Sequence, residues 1–347
     1  MRAMTFDRFG GPVTVRDVPE PEAPPGGVVV RVHASGLCLS DWHAWAGHDT
    51  DITALPHVPG HELAGVVAAV GGGVSRWRVG DRVTSPFVCG CGRCDWCRSG
   101  QAQVCPDQTQ PGFTHAGSFA ELVVLHAADT NLVALPDDVD DATAASLGCR
   151  FATAYRAVVG RARVQPGERV VVVGAGGVGL SAVMVAAALG AQVVAVDRHD
   201  GALDAARRAG AARTVLAAEG VDVPAVVQEL TGGCHVSVDA VGSERTCADA
   251  IGSLRRRGRH VQVGLLPPVG GHPRVPMSRV IGWELDVLGS HGMAAADYPE
   301  MLARVADGTL RPAALVDRVV GLDEGARLLP GLHDTLRAGM VLVDPRR

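Results

Sequence analysis

The chain has 347 residues, 47% apolar and 20% charged, with a formal net charge of −5. That length exceeds one ordinary core and fits two domains of a soluble enzyme, and the mildly acidic balance gives no reason to expect a nucleic-acid or membrane partner. All 32 basic residues are arginine, which excludes Schiff-base chemistry, a P-loop lysine and a Tyr-Lys catalytic couple.

In chain order, Met1 to Gly27 carries Asp7, Arg8, Asp17, Glu20 and several prolines, with no apolar run of signal-peptide length. A cytoplasmic location is expected, where nine cysteines stay reduced and bind metal rather than pair. Residues 26–36, 61–70, 80–85 and 118–125 read as β-strands, rich in β-branched residues and punctuated by Gly and Pro. No long helix is expected before Asp140, so this first part is largely β, with an irregular cysteine-rich lobe at 89–106.

Two thiol clusters fall within it. Cys91, Cys94, Cys97 and Cys105 lie within fifteen residues. Four thiolates close a tetrahedron around zinc, so this spacing reads as a structural site, with Arg93 and Arg98 offsetting its surplus negative charge. Cys38, His61 and Cys149 are scattered instead. Two thiolates and an imidazole leave a fourth position open, which reads as a catalytic zinc site at about zero net charge. Either Cys38, in Leu37-Cys38-Leu39, or Cys149 could equally be a packing thiol. Glu62 follows the histidine and can act as a transient ligand or beside the ligands, and Asp41 is placed to hold the other ring nitrogen of His61. Cys234 and Cys247 read as packing residues.

From Asp140 onward the pattern changes. Apolar strands at 169–174, 192–197, 213–216, 235–240, 259–264 and 285–289 alternate with Ala/Arg-rich helical stretches, the pattern of a doubly wound parallel sheet. Val170 to Val196 holds no charge, but Gly174, Gly176, Gly177 and Gly179 break it into strand, turn, helix and strand rather than a membrane span. The turn Gly174-Ala-Gly176-Gly177-Val178-Gly179 fits a dinucleotide pyrophosphate on a helix N-terminus. Asp197, ending the next strand, fits the adenosine ribose hydroxyls. Its charge favours NAD(H) over NADP(H), a preference that Arg198 can soften. Pro267-Pro268 and Gly270-Gly271 mark a loop. Helical patterns near 297–306 and 323–330 and a strand near 339–343 are expected to pack back on the first domain.

These motifs, in this order and over essentially the whole chain, resemble the zinc-containing medium-chain alcohol dehydrogenases: Cys38-x-Ser40-Asp41-x-His43-Ala-Trp45, Pro59-Gly60-His61-Glu62, the four-cysteine lobe, Leu147-Gly148-Cys149 and the glycine turn. The resemblance implies an α/β chain with a GroES-like, mostly-β catalytic domain at 1–150, a Rossmann cofactor domain at 151–288 and a C-terminal segment, 289–347, that returns to the catalytic domain. It implies two zinc ions per chain, the catalytic one on Cys38, His61 and Cys149. It also implies a proton relay through Ser40 and the cofactor ribose to His43. Val263 joins the cofactor residues, and Ser40 and Phe87 join the pocket wall, with Trp45, Trp42 and Phe113 as weaker candidates, Phe113 being as well read as a simple loop anchor. Relatives are usually homodimers or homotetramers. Two positions depart from the family: Leu39 stands where Arg or His often faces the cofactor phosphates, and Met340 stands where an arginine reaches the pyrophosphate, with Arg337 nearby as a substitute. The expected substrate is a primary or secondary, apolar or aromatic alcohol, or its aldehyde or ketone. The alternatives are a polyol, sugar or amino-alcohol dehydrogenase of the same fold, or a zinc- or nucleotide-binding protein without catalysis.

Overall fold

The computed structural model describes residues 1–266, 272–335 and 339–347. The loop at 267–271 and Arg337 lie outside them.

Six strands form a parallel sheet in the spatial order Arg213–Leu216, Gln192–Asp197, Arg169–Val173, Cys234–Asp239, Leu254–Gln262, Asp286–Gly289. Numbered along the chain this is 3-2-1-4-5-6, the doubly wound dinucleotide-binding order. The strand order reverses between the first and fourth strands, which opens a crevice at their carboxyl ends. The uncharged stretch resolves as expected into the strand Arg169–Val173, the helix Gly177–Ala188 and the strand Gln192–Asp197. The middle of that helix, from Gly179 to Ala186, is buried on every side because it packs on the sheet and also against the helical turn Ala152–Tyr155. A charged side chain would have had no exit to water there. No helix among the described residues is long and apolar enough to cross a membrane.

The first part is mostly β. Val28–Leu37 is the spine of a seven-stranded sheet, pairing antiparallel with Glu62–Val70, with Leu122–Leu125 and with the C-terminal strand Met340–Val343. The last pairing joins Leu37, Gly36 and Ser35 to Val341, Leu342 and Val343, so this strand is part of the same sheet. A separate hairpin-like pair, Arg2–Phe6 with Val13–Asp17, lies outside the strands expected from sequence. One register decides the site. Gly36 lies opposite Glu62, so Cys38, just past the end of one strand, is delivered beside His61, just before the start of the other.

Candidate active site

Cys38, His61, Glu62 and Cys149 bring one ligand atom each within 4.8 Å of one another, and a second such group is formed by Cys91, Cys94, Cys97 and Cys105. Both clusters read from sequence are therefore assembled by the fold. The four-cysteine lobe is held by local turns: the Cys91 N–H lies 3.3 Å from the Cys105 sulfur, and the Cys94 and Cys97 sulfurs are 3.5 Å apart. Two backbone N–H groups, of Arg93 and Cys94, draw the Cys91 thiol down to about 6, whereas burial pushes Cys97 up to about 12. A thiolate surrounded by thiols at these separations could serve as the donor set of a tetrahedral, closed metal centre.

In the buried cluster Asp41 is the organiser. Its carboxylate accepts the Cys38 N–H at 2.9 Å and the Gly60 N–H at 3.1 Å, and it holds Nδ1 of His61 at 2.9 Å. Both side chains are fully buried. With Nδ1 so occupied, Nε2 of His61 points into the cluster, and it is a buried nitrogen with no hydrogen-bond partner. A polar atom is rarely left so in an interior, and a metal between Nε2 and the two sulfurs satisfies it. Burial pulls the His61 imidazole down, but the Asp41 carboxylate and the Cys38 sulfur outweigh it and hold the ring well above its ordinary value. The Cys38 thiol is drawn down chiefly by a hydrogen bond from Cys149, which is itself held up by the same contact. Protons crowded this way are what a divalent cation displaces. Cys149 sits on a π-helical turn, Leu147–Phe151, a bulged geometry that aims its side chain at the cluster.

The remaining residues fall around this core. Ser40 and His43 share the short helix Leu39–Trp45, three residues apart and so on one face. The Ser40 hydroxyl lies 3.7 Å from the Cys38 sulfur, while His43 is exposed and joined to His48 through their Nδ1 atoms at 3.0 Å. Partial burial and the neighbouring His48 and His333 rings lower the pKa of His43. Phe87 and Phe113 flank His61, with ring centroids 6.1 and 5.1 Å from its ring. Trp45 lies against the cluster that contains Phe113: it donates its indole N–H to Gly11 O and packs with Phe6, Ala44, Ile52 and Phe113. Trp42 is tied to the C-terminal segment, bonded to Pro330 O and stacked on His333.

In the glycine turn each position has its own reason. Gly174 has φ +93°, and a Cβ on Gly179 would lie 1.8 Å from Gly174 O, so helix and strand meet there without room for a methyl group. Gly176 faces open space, and Val178 follows in the first turn of the twelve-residue helix, whose free N–H groups suit a pyrophosphate. Asp197 ends its strand and accepts the Ala175 N–H at 2.8 Å with one oxygen and the His199 N–H at 2.9 Å with the other. Arg198 is exposed beside it. Val263 follows the strand Leu254–Gln262, and its backbone N–H donates to Asp239 O at 3.1 Å. Leu39 is exposed, and Met340 is fully buried in the C-terminal strand.

One residue of the site was not foreseen. Arg150, directly after Cys149, is buried, and its guanidinium binds the fully buried carboxylate of Glu62. The signal was present as a charge within the otherwise uncharged run Ala144 to Ala154, but nothing in the sequence paired it with Glu62 across 88 residues. Glu62 is thus an ion-pair partner as well as a neighbour of the ligand set.

Comparison with known proteins agrees with this geometry. Residues 24–137 match the family model of the alcohol dehydrogenase GroES-like domain, and residues 177–307 match that of the zinc-binding dehydrogenases. The chain is 35% identical over 327 residues to an alcohol dehydrogenase of Geobacillus stearothermophilus, covering 93% of this chain and 94% of that one. Among solved structures, the alcohol dehydrogenase TADH from Thermus sp. ATN1 superposes with a TM-score of 0.89 at 32% identity, with 99% of each chain covered. An NAD-dependent alcohol dehydrogenase superposes at 0.87, again at 32% identity and 99% coverage of both chains. With its two large sheets, its cysteine clusters and its dinucleotide turn described, the chain belongs to the zinc-containing medium-chain alcohol dehydrogenase family.

Proposed function

We propose that this protein is a zinc-dependent alcohol dehydrogenase that interconverts a small apolar or aromatic primary or secondary alcohol with its aldehyde or ketone, using NAD(H) in preference to NADP(H). The observation that carries the reading is the unpartnered Nε2 of His61, buried beside the Cys38 and Cys149 sulfurs. Cys38, His61 and Cys149 would hold the catalytic zinc, and Cys91, Cys94, Cys97 and Cys105 a second, structural one. The bound metal supplies Lewis-acid polarisation of the substrate oxygen, and the nicotinamide supplies the hydride acceptor.

The chain's own residues do the rest. Asp41 fixes the tautomer and direction of His61. Phe87 and Phe113 give the substrate an apolar wall beside that ring, which favours an alkyl or aryl group over a polyol. Cys149 supports the same choice, because polyol-type relatives often have glutamate at the third ligand position. The Ser40 hydroxyl would take up the substrate proton while giving up its own toward His43, which would release it at the surface. His43 suits this because its lowered pKa keeps the ring neutral at neutral pH, so that it can take up a proton, while its Nδ1 is joined to His48. A panel of alcohols and carbonyls with both cofactors tests the proposal, and a fully metallated protein that turns over none of them contradicts it. The reading carries with it a cytoplasmic homodimer or homotetramer with no nucleic-acid or membrane partner.

The relay gives a pH signature. His43→Gln removes an acceptor that is neutral above its depressed pKa. Alcohol oxidation should therefore fall by about a hundredfold near neutrality, the lower end of acid–base effects. The deficit should shrink as pH rises and hydroxide takes the proton from Ser40 directly. Superimposable pH–rate profiles for variant and wild type would remove His43 from the relay.

Cofactor choice should turn on Asp197. Each of its oxygens already takes one backbone N–H, leaving lone pairs for the ribose hydroxyls and a charge that repels a 2′-phosphate. A charge-assisted hydrogen bond is worth about 1.5–3 kcal/mol, so Asp197→Ala should weaken NAD about ten- to a hundredfold. NADP should gain in the same variant, with Arg198 free to face the phosphate. Measured kcat/KM ratios that are equal in variant and wild type would place the ribose elsewhere.

A further inference from the structure

We propose that Arg150 is a positioning residue that keeps Glu62 out of the coordination sphere of the metal at Cys38, His61 and Cys149, and that the dinucleotide turn bears on the same arginine. The inference rests on the metal-site reading above. A carboxylate oxygen of Glu62 already lies within 4.8 Å of all three other ligand atoms, so a fourth protein ligand is within reach of the position that substrate must occupy. What opposes it is a set of donors from one residue. The Arg150 backbone N–H reaches Oε1 of Glu62 at 2.9 Å, Nε reaches Oε1 at 3.0 Å and Oε2 at 3.1 Å, and Nη2 also bonds Oε2. Both carboxylate oxygens are therefore engaged by a planar, permanently charged fork.

The pair cannot shift far. A Cβ on Gly36 would lie 2.0 Å from Oε2 of Glu62 and 2.8 Å from Nη2 of Arg150. At the other end, a Cβ on Gly177 would lie 2.4 Å from Cδ of Arg150. The arginine's aliphatic arm thus lies directly under the turn on which the pyrophosphate is expected, while its head holds the carboxylate beside the metal ligands. One side chain joins the two sites. Without it, Glu62 would be a buried carboxylate with no counter-charge, and the nearest cation would be the metal.

Cobalt(II) is the probe, because its visible ligand-field bands report the ligand set directly. Wild type, Arg150→Met, Arg150→Met/Glu62→Gln and Gly177→Ala would each be loaded with Co²⁺ and compared by absorption, with metal content measured and NADH binding followed by fluorescence. The expected result is a shifted cobalt spectrum in Arg150→Met at two metals per chain, a return to the wild-type spectrum in the double variant, and a loss of about ten- to a hundredfold in kcat/KM for Arg150→Met. Gly177→Ala should reproduce part of the shift through the arm of Arg150 and weaken NADH. If Arg150→Met does not fold, Arg150→Lys, which keeps the charge without the fork, should show the shift. A fully metallated Arg150 variant with the wild-type spectrum, or a shift that persists when Glu62 is also replaced, would overturn the proposal. Wild type that takes one cobalt per chain would instead overturn the metal-site reading on which it rests.

Discussion

Cys149→Ser should leave a folded protein with one zinc per chain and almost no alcohol oxidation. Cys149 lies on the π-helical turn with its sulfur in the buried cluster, so serine replaces a soft thiolate ligand with a weakly coordinating hydroxyl of similar size. The surrounding sheet does not depend on that bond: Leu147 and Phe151, on either side, are fully buried in the main apolar core. Lewis-acid polarisation contributes several kcal/mol of transition-state stabilisation, so its loss should cost about a hundred- to a thousandfold in kcat. The contrasting substitution is Cys94→Ser in the other cluster. It should lower stability and disorder the lobe at 89–106 first, with activity following only as the fold or assembly weakens. Metal analysis and thermal unfolding of both variants separate the two sites. If Cys149→Ser retained two zinc ions and wild-type turnover, the buried cluster would not be the catalytic centre.

Asp41→Ala should be costly in another way. One buried carboxylate accepts the Cys38 and Gly60 N–H groups and orients His61 through Nδ1. Alanine leaves three buried donors unanswered. Each such group costs about 1–3 kcal/mol before the structure relaxes, and their sum approaches the whole stability of many domains. In addition, the His61 ring loses the partner that fixes its tautomer, so affinity for the catalytic metal should fall about ten- to a hundredfold. Chelator competition on the variant, set beside chemical denaturation, measures both. A variant with wild-type metal affinity would mean that Asp41 is merely a helix-capping residue.

The chemistry-bearing parts of this molecule were legible because their spacing is itself chemistry. Four thiols in fifteen residues, or glycines between an apolar strand and an uncharged helix, have few other uses. The five strands Arg169–Val173, Gln192–Asp197, Arg213–Leu216, Cys234–Asp239 and Asp286–Gly289 lie within a residue or so of the expected positions: three are buried and so demand continuous apolar runs, while Arg213–Leu216 and Asp286–Gly289 are mostly exposed and are marked only by short apolar stretches. The remaining strand of that sheet begins earlier than its apolar pattern: in Leu254–Gln262 the buried Leu254 is followed by three exposed arginines, with Arg257 at φ +61°, where no alternation marks the start. The pair Arg2–Phe6 and Val13–Asp17 was missed because each is five residues long and the second is only partly buried. What sequence could not supply was the register. The Gly36–Glu62 pairing and the long-range Glu62–Arg150 contact depend on how strands and a π-turn meet in space, and no local pattern encodes them. Likewise Phe113, a loop aromatic with no periodic context, proves to lie against His61. Arg337, expected as a phosphate contact, falls outside the described residues, whereas Arg150 reaches the same turn from the opposite side of the sequence.

The most direct test of the whole account is alcohol-dependent formation of reduced nicotinamide, followed by absorbance, on zinc-replete protein and on the same protein after removal of its exchangeable metal. The account predicts turnover of apolar or aromatic alcohols with NAD, abolished by chelation and restored by added zinc. Fully zinc-loaded protein that reduces neither NAD nor NADP with any alcohol, or turnover unchanged after the buried site is emptied, would contradict it.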